Sequence, residues 1–426
     1  MANSLKIAHI SDIHYSTKNL KEVDKCFSHA IDVAIEQDCG CAVLSGDIFD
    51  HRIDLHAPAV TAVINRVIIL ADSMPALILQ GTFSHDAPGS LDVFKTINSR
   101  YPVHVADKIE QVTLIGSSVQ NHYSWVTNVP HENIQTIETT KSDENQGEHK
   151  VIAVFSCLPP INKAEFAAKN NAIDASSDTG KEITNILESW SKQHESYREQ
   201  QIPTILVSHG TVTGCTTEQG VVMHGTDHEF TTEMLFAAES SAVLLGHIHQ
   251  FQTWLKDNRV IAYPGSPGRL HFGEVTDKGF LIWDVDHEKS SCAFHKTPAK
   301  YLLQIEYPGA PDMDELTVIA KEQAEGAHVR IRYQINEEYR ATVDKPLIRS
   351  LFMDQGAEEC KVEGRINPIQ RTRSEGITQL PSIIDQLGVW AKITETDPEP
   401  LKVRLEQILS ADIENVLDNV YKQVSA

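Results

Sequence analysis

The feature that most constrains the fold is a recurrence: short apolar runs keep ending in the same few polar residues. LKIAHI runs into SDIH, CAVL into SGDIFD, PALILQ into GTFSHD, TILV into SHG, and SAVLL into GHIH. Between the first three lie NLKEVDKCFSHAIDVAIEQ and APAVTAVINRVIILAD, with apolar residues at helical spacing. This alternation of strand and helix predicts a layered α/β domain. In an open α/β sheet the carboxyl ends of the strands face one crevice, so residues far apart in the chain converge there. Further strands are predicted at VTLIG, VIAVFSC, RVIAYPGS and KGFLIWDVD.

The residues at those ends are Asp12 and His14, Asp47, His85 and Asp86, His209, and His247 with His249. DxH and HxH put two side chains on one face of an extended backbone, because side chains alternate with period two. That is a chelating geometry. Carboxylate oxygen with imidazole nitrogen suits manganese, iron or zinc better than calcium, and the lack of thiolates disfavours a structural zinc. An aspartate between two such groups can bridge two ions, and ions roughly 3.5–4 Å apart can clamp a phosphoryl group and activate a water. Taken singly, each histidine reads more readily as a surface or satisfied core residue. The ordered set, each member behind an apolar strand, carries the reading.

A length of 426 residues predicts more than one domain. The net charge of −22 argues against a protein that coats nucleic acid by electrostatics alone. It leaves room for an enzyme that reaches phosphates through metal ions or a basic partner. No apolar run approaches membrane-spanning length, and MANSLKIAHISDIH lacks the pattern of a secretion signal. Seven cysteines without CxxC spacing predict reduced thiols in a cytoplasmic protein. Residues 128–149 and 162–200 read as polar insertions, the second with helical periodicity. After about residue 290 the texture changes to a small α+β unit, and from about residue 373 to apolar-faced helices that need something to pack on.

The motif order resembles that of the calcineurin-like metallophosphoesterases, whose pattern is DxH, GDxx, GNHD, a lone His, then GHxH. Within that superfamily the chain is most similar to the SbcD family of DNA-repair nucleases. The likeness rests on GDIFD, on GHIHQFQ, on YPGSPGRLHFGEVTDKGFLIWDV at residues 263–285, and on RSEGITQLPSIIDQL. The resemblance implies a four-layer α-β-β-α metallophosphoesterase sandwich over residues 1–290, a small capping domain that contacts DNA over 291–372, and a helical partner-binding tail over 373–426. It implies a metal-dependent DNA nuclease, exonuclease or endonuclease, that hydrolyses phosphodiesters in DNA repair or end processing. Such proteins dimerise and work within a heterotetramer with an SbcC-type ABC ATPase, held through the C-terminal helices. Two divalent ions are implied, manganese first, with iron, magnesium or zinc as alternatives.

Carried over by position, one ion takes Asp12, His14, Asp47 and His249. The second shares Asp47 and takes His209, His247 and whatever stands for the family's asparagine: by position Ser84, with another neutral hydroxyl, a backbone carbonyl or a water as alternatives. His85 matches the catalytic histidine, with Asp86 orienting its ring, and His51 and Arg269 are candidates for contacting substrate phosphate. The chain departs from the family at this turn. Ser84 precedes the histidine where the family has asparagine, Thr82 follows the glycine, and the turn is two residues longer. The alternatives are a small-molecule or protein phosphoesterase on the same two-metal scaffold, and a degenerate, non-catalytic module.

Overall fold

The computed structural model describes residues 4–51, 56–117, 122–127, 129, 149–161, 175–222, 229–274, 276–368 and 376–410. The insertion at 128–149 lies almost wholly outside these residues. Of the insertion at 162–200, the described part is one helix, Ala175–Glu199.

By contact, the chain divides into two compact units. One comprises Met1–Ile305, Thr317–Arg330 and Arg349–Lys361; the other comprises Glu306–Leu316, Ile331–Ile348 and Val362–Ala426.

The first unit is built on two sheets. One has strands β1 (Leu5–Ile10), β2 (Cys41–Leu44), β3 (Ala76–Leu79) and β4 (Val103–Ala106) in parallel. It is extended antiparallel at β1 by a later hairpin, Gly279–Val285 and Ser290–Lys296. The other sheet centres on four mutually parallel strands: His149–Leu158, Thr204–His209, Ala242–Gly246 and Arg259–Tyr263. Antiparallel strands flank it on both sides, Glu110–Ser117 with His122–Thr127 at one edge and Gln252–Lys256 at the other.

Period-two alternation sorts the apolar side chains into layers. Leu5, Ile7, Cys41, Val43, Leu77 and Leu79 point between the sheets, where they meet Val112, Leu114, Phe155, Ile205, Val207 and Leu244 of the second sheet. Their neighbours Ala8, Ile10, Ala42, Leu44, Ala76 and Ile78 point the other way, under helices α1 (Leu20–Glu36) and α2 (Pro58–Ser73). On the far face, α3 (Ala175–Glu199) and α4 (Thr232–Ala237) cover the second sheet through Ile183, Leu187, Trp190, Leu235 and Phe236. The order is helix, sheet, sheet, helix, which is the four-layer sandwich expected. Strands buried on both faces read as near-continuous apolar runs, which is why they stood out in the sequence.

Register then places the polar ends. Ile10 pairs with Leu44, and Leu44 with Ile78, so β1, β2 and β3 stop level with one another. In the second sheet Gly246 lies beside His209. All the motif residues therefore leave their strands at one edge.

All seven cysteines are free, and six are buried. Beyond residue 300 the described chain forms strands Tyr301–Tyr307, Ala327–Asn336 and Glu359–Asn367, with helices Met313–Gln323 and Lys345–Asp354 between them. Two further helices, Ile383–Ile393 and Glu399–Ser410, lie in the second unit. Among the described residues no helix is long and apolar enough to cross a membrane.

Candidate metal centre

Three strand ends and two histidine-bearing turns converge on one cluster. The potential ligand atoms of Asp12, His14 and His249 lie within 4.8 Å of one another, as do those of Asp47, His209 and His247. A third grouping, His14, Asp47 and His85, joins the two. Asp12, His14, Asp47 and His209 are buried, while His85, His247 and His249 are partly exposed toward the crevice.

The backbone is bent to make this possible. Asp12, His14, Asp47 and His247 have φ of 53°, 56°, 52° and 106°, in a region that non-glycine residues rarely occupy. Such conformations cluster where the surroundings over-determine them. The surroundings here are backbone hydrogen bonds: Asp12 N–H donates to the Gly46 carbonyl at 3.1 Å, and His14 N–H to the Asp47 carbonyl at 3.1 Å. The glycines before the ligands are needed for contact. A Cβ on Gly81 would fall 2.1 Å from the Asp47 nitrogen, and one on Gly246 would fall 2.2 Å from the Ser45 carbonyl oxygen. The GD, GT and GH pairs of the sequence are three backbones meeting.

Asp47 sits at the middle. Its Oδ2 is 3.3 Å from His209 Nε2 and 4.0 Å from His14 Nε2. Burial alone would raise the Asp47 pKa, but the His209, His14 and His85 imidazoles hold it below the usual carboxylate range. Burial likewise opposes a charge on His209, and Asp47 overcomes it, raising the ring to about 9. His14 goes the other way: burial and the neighbouring His249 lower it to about 4.

The Asp12 carboxylate receives the His247 amide at 3.1 and 3.0 Å on its two oxygens. His14 Nε2 and His249 Nε2 face each other at 3.0 Å, two acceptor-capable nitrogens turned toward one point. His14 Nδ1 is buried without any hydrogen-bond partner. The cluster side is a different matter: two imidazole nitrogens turned on one point among carboxylate oxygens form a donor set that a borderline cation satisfies. The residues present therefore fit divalent ions.

The turn GTFSHD puts a different hydroxyl inward from the one its spacing suggests. Ser84 is exposed. Thr82 occupies the place beside the second cluster: its hydroxyl is 3.3 Å from Asp47 Oδ2 and 3.2 Å from His209 Nε2, and its amide donates to Asp47 Oδ1 at 2.6 Å. In this turn the position before the histidine faces outward, and the hydroxyl after the glycine is the one beside Asp47 and His209.

Asp86 is also corrected. Its carboxylate is taken up by backbone, accepting the N–H groups of Ile48, Phe49 and Gly81 at 3.2, 3.1 and 3.1 Å. It latches the turn after β3 to the turn after β2. Burial and the nearby Asp47 push its pKa up to about 7, with the three amides pulling the other way. The ring of His85 is oriented instead by the Asp50 carbonyl, which is hydrogen-bonded to Nδ1. His85 stacks edge-on against His14, with centroids 4.7 Å apart.

The candidate phosphate contacts are not in the cluster. The Arg269 guanidinium is spent on the carbonyls of Glu274, Lys300 and Thr276, at 3.0, 2.8 and 2.9 Å. It closes a loop. His51 is exposed and pairs with Asp50 at 3.4 Å.

Sequence reasoning missed Glu274. This fully buried carboxylate accepts from His249 Nδ1 at 3.1 Å. Its one sequence signal was the FGE phrase, which spacing alone does not link to GHIH.

No family model matches the chain, and no curated protein matches it. Solved structures do. GAP50, the anchor in the inner membrane complex of Plasmodium, is 12% identical with a TM-score of 0.41, over 69% of this chain and 85% of that one. A dimetal phosphatase from Danio rerio is 10% identical with a TM-score of 0.34, over 68% and 99%. Phosphopantetheinyl hydrolase from Mycobacterium tuberculosis is 13% identical with a TM-score of 0.24, over 63% and 92%. At these scores the likeness carries no argument, and the functional reading rests on the geometry of the cluster.

Proposed function

We propose that the protein is a metal-dependent phosphoesterase that hydrolyses DNA phosphodiesters. The observation that supports this best is the pair of donor clusters, Asp12/His14/His249 and Asp47/His209/His247, with Asp47 at 3.3 Å from His209 and 4.0 Å from His14. In this reading Asp47 serves both positions and Thr82 completes the second. Two divalent ions, manganese first, would supply Lewis-acid polarisation of the phosphoryl group and lower the pKa of a water.

The chain's own residues do the rest. His85 holds Nδ1 against the Asp50 carbonyl, so Nδ1 carries a proton and the other ring nitrogen is left to pass one to the departing oxygen. Asp86 keeps the turn that carries His85 in place through three backbone amides. Arg269 ties down the loop that backs His249.

The partner in this reading is an SbcC-type ABC ATPase. What supports it is an apolar groove of about 430 Å³ on the paired helices Ile383–Ile393 and Glu399–Ser410, lined by Ile383, Leu387, Trp390, Leu401, Leu405 and Ile408. A coiled coil presents a complementary apolar stripe. A dimer within a heterotetramer and a cytoplasmic location belong to the same reading.

The net charge of −22 favours a second reading, a phosphoesterase for small substrates, since a polyanion is repelled without added basic surface. One experiment separates them. End-labelled linear DNA and a chromogenic phosphodiester are incubated with manganese, using wild type and His85→Ala. The nuclease reading expects DNA cleavage, lowered on the order of 10²–10⁴-fold in the variant with metal content unchanged. Hydrolysis of the small ester alone selects the second reading. Cleavage of neither, with or without an ABC ATPase partner, overturns both.

A further inference from the structure

The segment YPGSPGRLHFGEVTDKGF follows the GHIH turn, and no step above uses its two buried charges. Glu274 and Lys278 are both fully buried as side chains. A buried ion pair is expensive to desolvate and is weak evidence for stability in itself, so its contacts matter. Lys278 Nζ lies 3.3 Å from Glu274 Oε2 and donates to two further groups, the His249 carbonyl at 3.0 Å and Ser266 Oγ at 2.9 Å. Glu274 Oε2 also accepts the Leu270 amide at 2.7 Å, and Oε1 accepts from His249 Nδ1 at 3.1 Å. The pair thus grips one residue twice, at its ring through the carboxylate and at its backbone through the ammonium.

The rest of the segment serves that grip. Arg269 pulls the carbonyls of Glu274 and Thr276 together with that of Lys300, closing the loop around the carboxylate. Gly265 has φ of 78°, and a Cβ there would fall 2.9 Å from the His249 carbonyl oxygen, the atom Lys278 holds. Seen this way, the segment is a cradle for His249.

We propose that Glu274 and Lys278 are a positioning pair that sets the affinity of the Asp12/His14/His249 position for a divalent cation. Glu274 accepts the Nδ1 proton and leaves Nε2 as a lone pair facing Asp12 and His14. Lys278 fixes the backbone from which the ring projects. The inference rests on the proposed metal-dependent function, in that it assigns His249 a ligand's role. It adds residues that touch neither metal nor substrate. Partners of this kind tune a ligand's orientation and basicity, and losing one typically costs about 10- to 100-fold in metal affinity.

The test uses the full chain stripped of metal by chelation. Manganese is titrated into wild type, Glu274→Gln and Lys278→Met by calorimetry, with circular dichroism to confirm folding. In parallel, the ring nitrogens of ¹⁵N-histidine-labelled wild type and Glu274→Gln are read by NMR without metal, at a pH where His249 is neutral. The expected result is two ions in wild type, one of them weakened about 10- to 100-fold in each folded variant. His249 should carry its proton on Nδ1 in wild type, with the signature lost or shifted in Glu274→Gln. Wild-type manganese affinity in both variants, or a proton on Nε2 in wild type, overturns the proposal. If one variant does not fold, the other still decides. If wild type binds no manganese, the phosphoesterase reading fails, while the tautomer measurement still decides whether Glu274 sets the ring of His249.

Discussion

At the scale of single residues, the turn GTFSHD shows that motif spacing does not decide which hydroxyl faces the cluster. The side chain before His85 is exposed, and the hydroxyl beside Asp47 and His209 belongs to Thr82. Thr82→Val keeps the shape and removes that oxygen. The expected outcome is about 10-fold weaker binding of the second manganese ion, with the first unchanged, by calorimetric titration. Ser84→Ala should leave both unchanged. An effect in Ser84→Ala with none in Thr82→Val would return the role to Ser84. Motif position alone pointed to Ser84, because alignment by spacing counts residues back from the histidine. Only the path of the longer turn shows which hydroxyl ends up inward.

At the scale of elements, the strands were legible because burial on both faces makes each an unbroken apolar run, and their polar ends were legible because glycine and charge interrupt those runs. What each polar end does was less so. Asp86 follows His85 directly, which suggested a catalytic pair, yet its carboxylate ties two loops together through three amides. Asp86→Ala leaves those buried donors unpaired and should destabilise the fold by about 3 kcal/mol, read as a fall in the urea midpoint. A variant with wild-type stability but lost hydrolysis would restore the catalytic role. Glu274 was hidden for the complementary reason: 25 residues of chain separate it from His249, and nothing in the intervening sequence marks the contact.

At the scale of the whole molecule, two buried histidines that belong to neither donor cluster set an acid limit. His9 hydrogen-bonds Ser45 and Trp283, and His194 hydrogen-bonds Ser156 and the Ala238 carbonyl. Burial lowers their pKa values to about 3 and about 4. Unfolding exposes both to water, where a histidine titrates near 6.5. Between those values the unfolded chain binds protons the folded chain refuses. Stability should therefore fall as pH drops from about 6.5 toward 4, by ~1.4 kcal/mol per pH unit for each histidine. Urea unfolding at pH 7, 6 and 5 checks this, and His194→Gln should flatten the slope; an unchanged slope would show that His194 is not buried neutral.

The left-handed backbone at Asp12, His14, Asp47 and His247 has a consequence for how such a chain changes over generations. Each of these conformations costs a side-chain-bearing residue about 1 kcal/mol that glycine would not incur. On backbone strain alone, glycine would be favoured at these very positions. All four are candidate ligands, so the strain falls on the residues that line the crevice. A lineage released from any use of the crevice should therefore lose His14 and His247 to glycine before Asp12 and Asp47, whose carboxylates accept the His247 and Thr82 amides.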